Sequence, residues 1–117
     1  MFTIAKQFHF SASHTIEGVP DDHPCKRLHG HNYIVELILQ SESLNDAGFV
    51  VDYHDLATFK KIIDTELDHR HLNDVLPCPT TAEHLARYLY QRASKFWPNV
   101  VAVRISETPK TWAEYRE

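Results

Sequence analysis

An α+β domain, with an antiparallel sheet and two helices on one of its faces, is predicted by three observations on this 117-residue chain. Residues 2–13 and 31–41 alternate apolar and polar side chains, the period of a half-buried strand. A middle stretch repeats apolar residues every three or four positions, and residues 100–107 return to alternation. Strands, then helices, then strands, with no internal repeat or low-complexity segment, is the order of an α+β domain rather than of βαβ units. A single domain spanning residues 1–117 can bury a core, but a sizeable cleft would have to be shared with a neighbour, so the length predicts self-association.

In the first segment Phe2, Ile4, Phe8 and Phe10 mark the strand, and in the second Tyr33, Val35, Leu37 and Leu39 share one face. Two antiparallel strands are the simplest arrangement. Between them, Thr15 to Leu28 contains Gly18, Pro20, Asp21, Asp22 and Pro24, a loop composition. Asn45-Asp46-Ala47-Gly48 is a turn signal, after which Asp52 is placed to cap a helix running to about Leu67, with Leu56, Phe59, Ile63 and Leu67 as its buried stripe. A second helix is predicted from Thr80-Thr81-Ala82-Glu83, where Thr80 and Glu83 have capping-box spacing. It buries Leu85, Tyr88, Leu89, the stem of Arg92 and Phe96, and ends at Pro98. On the next strand Val101, Val103 and Ile105 alternate, with Glu107 following in the same parity, and Thr111 to Tyr115 reads as a short strand on the same sheet.

Composition excludes several function classes. The 12 basic residues form no run and the formal net charge is −4, so the footprint of a nucleic-acid binder is missing. No apolar stretch exceeds strand length and Met1 to Lys6 lacks the zones of a signal peptide, which predicts a soluble, cytoplasmic chain without a membrane partner. With only 3 glycines and no glycine-rich dinucleotide turn, no nicotinamide or flavin is expected. Two cysteines, Cys25 and Cys78, make a poor disulfide framework.

His14, His29 and His31 carry the strongest signal. His29 and His31 flank Gly30 at the start of a strand, where residues two apart point to the same face, and His14 closes the adjacent strand. Each alone reads as an ordinary surface or hydrogen-bonded histidine. Together they form a set of three neutral nitrogen ligands with no obvious fourth, the donor set of a catalytic zinc site, although nickel and iron(II) also accept imidazole. His9, His23, His54 and His84 have no such geometry and read as structural or surface residues.

Four further features have both an ordinary and a chemical reading. Cys25 is either a small loop residue or, beside Lys26 and Arg27 and four residues before His29, a base or nucleophile. Asp68-His69 is either a solvated helix end, with His69, Arg70 and His71 complementing the dipole, or a carboxylate–imidazole proton relay. Glu107 is either a strand-end surface residue or a carboxylate able to accept two hydrogen bonds from the N–H groups of an aminopyrimidinone-type ring. Thr80 and Thr81 are caps first and polar ligand contacts second.

As a set, Cys25-Lys-Arg-Leu-His29-Gly-His31, Phe-x-Ala-Ser-His14, Leu-Asp68-His69, Pro-Thr80-Thr81-Ala-Glu83 and Glu107-Thr resemble the 6-pyruvoyltetrahydropterin synthase family over nearly the whole chain. The three residues between Cys25 and His29, the compact length, and Glu107-Thr108 followed by Ala113-x-Tyr115 are most similar to its bacterial, 6-carboxytetrahydropterin-forming branch in queuosine biosynthesis. The resemblance implies a tunnelling fold, in which three subunits close their sheets into a barrel and two trimers stack into a homohexamer with active sites at subunit interfaces. It implies zinc held by His14, His29 and His31, Cys25 as proton acceptor, and Asp68 and His69 as the relay. Glu107 would anchor the pterin and share in proton transfer, with Thr80 and Thr81 contacting the ring. The implied substrate is 7,8-dihydroneopterin triphosphate, and the implied products are 6-carboxy-5,6,7,8-tetrahydropterin, acetaldehyde and triphosphate.

Lys26, Arg27 and Lys110 are candidates for the triphosphate, and His71, two positions on, competes with His69 for the relay. The alternatives are the pyruvoyl-forming synthase, a non-catalytic metal- or pterin-binding module, and a three-histidine zinc hydrolase.

Overall fold

The computed structural model describes residues 1–117 as one five-stranded sheet in the order β3-β1-β2-β4-β5, with helices against one face. Strands β1 (Phe2–His14) and β2 (His29–Ser41) form a long antiparallel hairpin, paired from Phe2 opposite Ser41 to His14 opposite His29. Strand β4 (Val100–Thr108) runs antiparallel to β2, and β5 (Thr111–Arg116) antiparallel to β4. A two-residue strand, β3 (Arg70–His71), adds to β1 in parallel.

The core follows from the alternation. Phe8, Phe10 and Ala12 of β1, Tyr33, Val35, Leu37 and Leu39 of β2, and Val103 and Ile105 of β4 are buried together under the helices. The expected stripe Leu56, Phe59, Ile63 and Leu67 is fully buried, and truncating any one of these to alanine would cost about 2–5 kcal/mol. Asp52 does cap, but what it caps is a 3-10 turn, Tyr53–Leu56, which leads into α1 (Ala57–Glu66). No helix is long and apolar enough to cross a membrane.

Three expectations need correction. The N-cap of α3 (Ala82–Ser94) is Thr81, whose hydroxyl accepts from the His84 N–H, and Thr80 lies buried outside the helix. Phe96 lies past the end of α3 and is half exposed, while Tyr90 occupies the buried position. The chain also inserts β3 and a four-residue helix, α2 (Leu72–Val75), between the two helices expected.

Candidate metal centre and cleft

The hairpin register assembles the three histidines. His14 stands directly opposite His29, and His31, opposite Ala12, follows on the same face of β2 as Tyr33. Their ring centroids are 4.5, 4.9 and 5.1 Å apart, and one ligand atom from each lies within 4.8 Å of the others. Gly30, between the two histidines of β2, leaves room for the paired β1 backbone, because a Cβ there would meet the Ala12 carbonyl oxygen at 3.2 Å.

Hydrogen bonds fix the tautomers. Nδ1 of His14 donates to the Thr80 carbonyl at 2.8 Å, and Nδ1 of His29 donates to the Arg27 carbonyl at 2.7 Å. A carbonyl can only accept, so each Nδ1 carries the proton and each Nε2 is left with a free lone pair. His14 is 1% exposed. Nε2 of His14 and Nε2 of His31 are buried without a partner; an unpaired buried polar atom costs about 1–3 kcal/mol. Burial holds both imidazoles below their ordinary pKa, opposed only in part by the Thr80 hydrogen bond and then Glu107 at His14 and by Glu107 at His31, so they are neutral lone-pair donors at neutral pH. Orphaned Nε2 atoms, neutral rings and convergence together fit a divalent cation of the zinc type.

Beside the cluster is a cleft of about 480 Å³ lined by His14, His29, Cys25, Glu107, Glu83 and Trp112, among others. Cys25 sits on a single 3-10 turn, Pro24–Lys26, pinned at both ends of its peptide: its N–H donates to Nδ1 of His23, and its carbonyl accepts from the Ile16 N–H. Its thiol is free. The Lys26 ammonium donates to the carbonyls of Glu17 and Val19 and pairs with Asp21. Glu107 lies within an irregularity in the β4–β5 register, between Ile105 and Thr108, and places Oε2 3.5 Å from Nε2 of His31. Thr81 lines the cleft. Thr80 does not, because it is fully buried and its hydroxyl and carbonyl are turned to His14 and Thr15.

Asp68 and His69 lie outside this cleft. Oδ1 of Asp68 accepts the Ser11 N–H at 2.9 Å, Oδ2 pairs with Nδ1 of His69 at 2.8 Å, and the His69 N–H donates to the Ser11 carbonyl. The Ser11 N–H first, and His69 second, hold the Asp68 carboxyl below the usual range. His69 adopts φ +58° and presents a largely exposed imidazole. The other ring weighed for the relay, His71, has Nδ1 2.9 Å from the Ser13 hydroxyl.

Sequence reasoning missed two cleft residues. Glu83 reads as a capping partner, and Trp112 as one more apolar side chain of an edge strand. An indole in a segment otherwise rich in polar residues was the available signal. Trp112 lies under the Arg104 guanidinium at 4.7 Å and keeps 38% of its surface exposed.

Comparison with known proteins identifies the family. A 6-carboxy-5,6,7,8-tetrahydropterin synthase of Haemophilus influenzae is 28% identical over the whole of both chains. Its namesake in Bacillus subtilis is 31% identical over 98% of this chain and 85% of its own length. Among solved structures, the Caenorhabditis elegans 6-pyruvoyl tetrahydropterin synthase superposes with a TM-score of 0.88 at 26% identity, covering 99% of this chain and 95% of that one. The family model described as 6-pyruvoyl tetrahydropterin synthase matches residues 3–117, and the chain belongs to that family.

Proposed function

We propose that this chain is a zinc-dependent lyase that converts 7,8-dihydroneopterin triphosphate and one water to 6-carboxy-5,6,7,8-tetrahydropterin, acetaldehyde and triphosphate, on the route to the 7-deazaguanine of queuosine. The observation that carries the reading is the cluster of imidazoles with buried, unpartnered Nε2 atoms at the wall of a cleft that Cys25 and Glu107 share. The names of the Haemophilus and Bacillus relatives support the carboxy-forming product.

Held by His14, His29 and His31, zinc would supply Lewis-acid polarisation of the substrate's hydroxylated side chain, acidifying its C–H and O–H groups. The chain's own residues do the rest. Cys25 Sγ, free and rigidly placed, takes the side-chain proton. Glu107 accepts the ring's N–H groups and fixes which face of the substrate meets the thiol. Thr81 borders the ring site, and Thr80 acts beneath it by orienting His14.

The Asp68–His69 pair serves as relay from a second copy of the chain, because it does not line the cleft of its own. Two open sheet edges support such an assembly: β5 on one side, and most of β1 beyond the two-residue β3 on the other. Closing three sheets into a ring removes both edges, and stacking two rings makes the homohexamer.

The test is to incubate zinc-loaded protein with dihydroneopterin triphosphate and follow products by mass. Acetaldehyde together with the 6-carboxy product is the expected result. A 6-pyruvoyl product without acetaldehyde would assign the second reading, which the closeness of the C. elegans fold favours. No conversion of the pterin would overturn both.

A further inference from the structure

We propose that Asn73 is a positioning residue for the metal centre, clamping the peptide of Thr15 so that the preceding His14 imidazole is held on its ligating direction. The proposal rests on the reading of His14, His29 and His31 as a metal site.

The two strand ladders that hold β1 stop just short of this point. Pairing with β2 ends at His14 opposite His29, and pairing with β3 ends at Ser13 opposite His71. Beyond His14 the chain turns into a loop, so the N–H and carbonyl of Thr15 have no strand partner and the ligand would sit on a fraying end. Asn73 supplies what a strand would have supplied. Its Oδ1 accepts the Thr15 N–H at 2.9 Å and its Nδ2 donates to the Thr15 carbonyl at 2.9 Å.

The register is that of the parallel ladder itself: Ala12 pairs with Arg70, Ser13 with His71, and the Thr15 peptide with the side chain of Asn73. The backbone at Asn73 has already turned into α2, so only a side chain can continue the ladder. A carboxamide, with one acceptor and donors on the same plane, is the side chain that imitates a peptide group. Thr80 closes the arrangement, its hydroxyl donating to the same Thr15 carbonyl while its main chain receives Nδ1 of His14. The segment bearing Asp68 and His69 is thereby tied to the ligand strand at Ser11, at Ser13 and at Thr15.

The experiment measures zinc affinity of the full chain by competition with a chromophoric chelator, and the visible spectrum of the cobalt(II)-substituted protein. Asn73→Ala is expected to weaken zinc binding about tenfold, the lower end for loss of a ligand-orienting contact, and to change the cobalt spectrum. Should that variant not fold, Asn73→Gln, which keeps the amide but moves it by one methylene, carries the comparison with a smaller loss in the same direction. Asn45→Ala is the control, since Asn45 Oδ1 likewise holds backbone N–H groups, of Ala47 and Phe49, in a turn remote from the histidines. It is expected to leave affinity and spectrum unchanged. Wild-type affinity and spectrum in a folded Asn73 variant, or an equal loss in Asn45→Ala, would overturn the proposal. A wild-type chain that binds no zinc would instead overturn the metal reading beneath it.

Discussion

The carboxylate of Glu107 stands 3.5 Å from Nε2 of His31, so one negative group borders both the imidazole cluster and the open volume beside it. Glu107→Gln keeps the shape and removes the charge. Losing one charge-assisted hydrogen bond, worth about 1.5–3 kcal/mol, should raise KM for the pterin about 10- to 100-fold, while zinc content stays at the wild-type level. Steady-state kinetics beside metal analysis checks both halves.

Cys25 is fixed through its own N–H and carbonyl, and neither bond involves its sulfur. Cys25→Ala should therefore leave fold and zinc content intact while turnover falls by about 100-fold or more, the scale of losing a positioned base. Acetaldehyde release per unit time, read against a melting curve of the same preparation, makes the comparison.

Removing the metal should lower stability rather than abolish the fold, because the core is a 21-residue apolar cluster to which none of the three histidines belongs. Zinc at about 1,000 times its dissociation constant would stabilise the native chain by about 4 kcal/mol through binding alone. Melting temperature should rise on adding zinc to chelated protein and should not rise in His29→Ala.

Acid should attack a junction remote from the cleft. Glu66, at the end of α1, accepts from Tyr88 and Arg92 on α3. Burial pushes its carboxyl up, yet the Tyr88 and Arg92 hydrogen bonds together outweigh that and leave it below the ordinary value of 4.5; the Tyr88 phenol is in turn pushed up to about 12, by burial first and Glu66 second. A depressed carboxyl contributes stability that is complete above the unfolded value and disappears as pH falls through the folded one. The urea midpoints of wild type and Glu66→Gln should thus differ at pH 7 and converge below about pH 4.5.

Much of this was readable from the chain. Tyr33, Val35, Leu37 and Leu39 alternate because one sheet face is covered, and the same period of two aims His29 and His31 together. What escaped depends on contacts distant in sequence. Thr80 and Thr81 each suit an N-cap, and the choice falls to Thr81 because Thr80 is drawn under His14, 66 positions away. Strand β3 and Asn73 are set by pairing with residues 58 positions earlier, which no local periodicity reports. Likewise, the sequence brings Asp68 and His69 together without revealing that they do not line the cleft of their own chain.

His69 keeps a left-handed backbone at φ +58° although it carries a Cβ, a conformation costing about 1–2 kcal/mol that glycine would largely avoid. Glycine there would relieve that cost, whereas the relay role proposed for His69 requires the imidazole. His69→Gly should accordingly melt at a higher temperature than its parent while losing turnover, marking position 69 as a place where durability has yielded to reactivity.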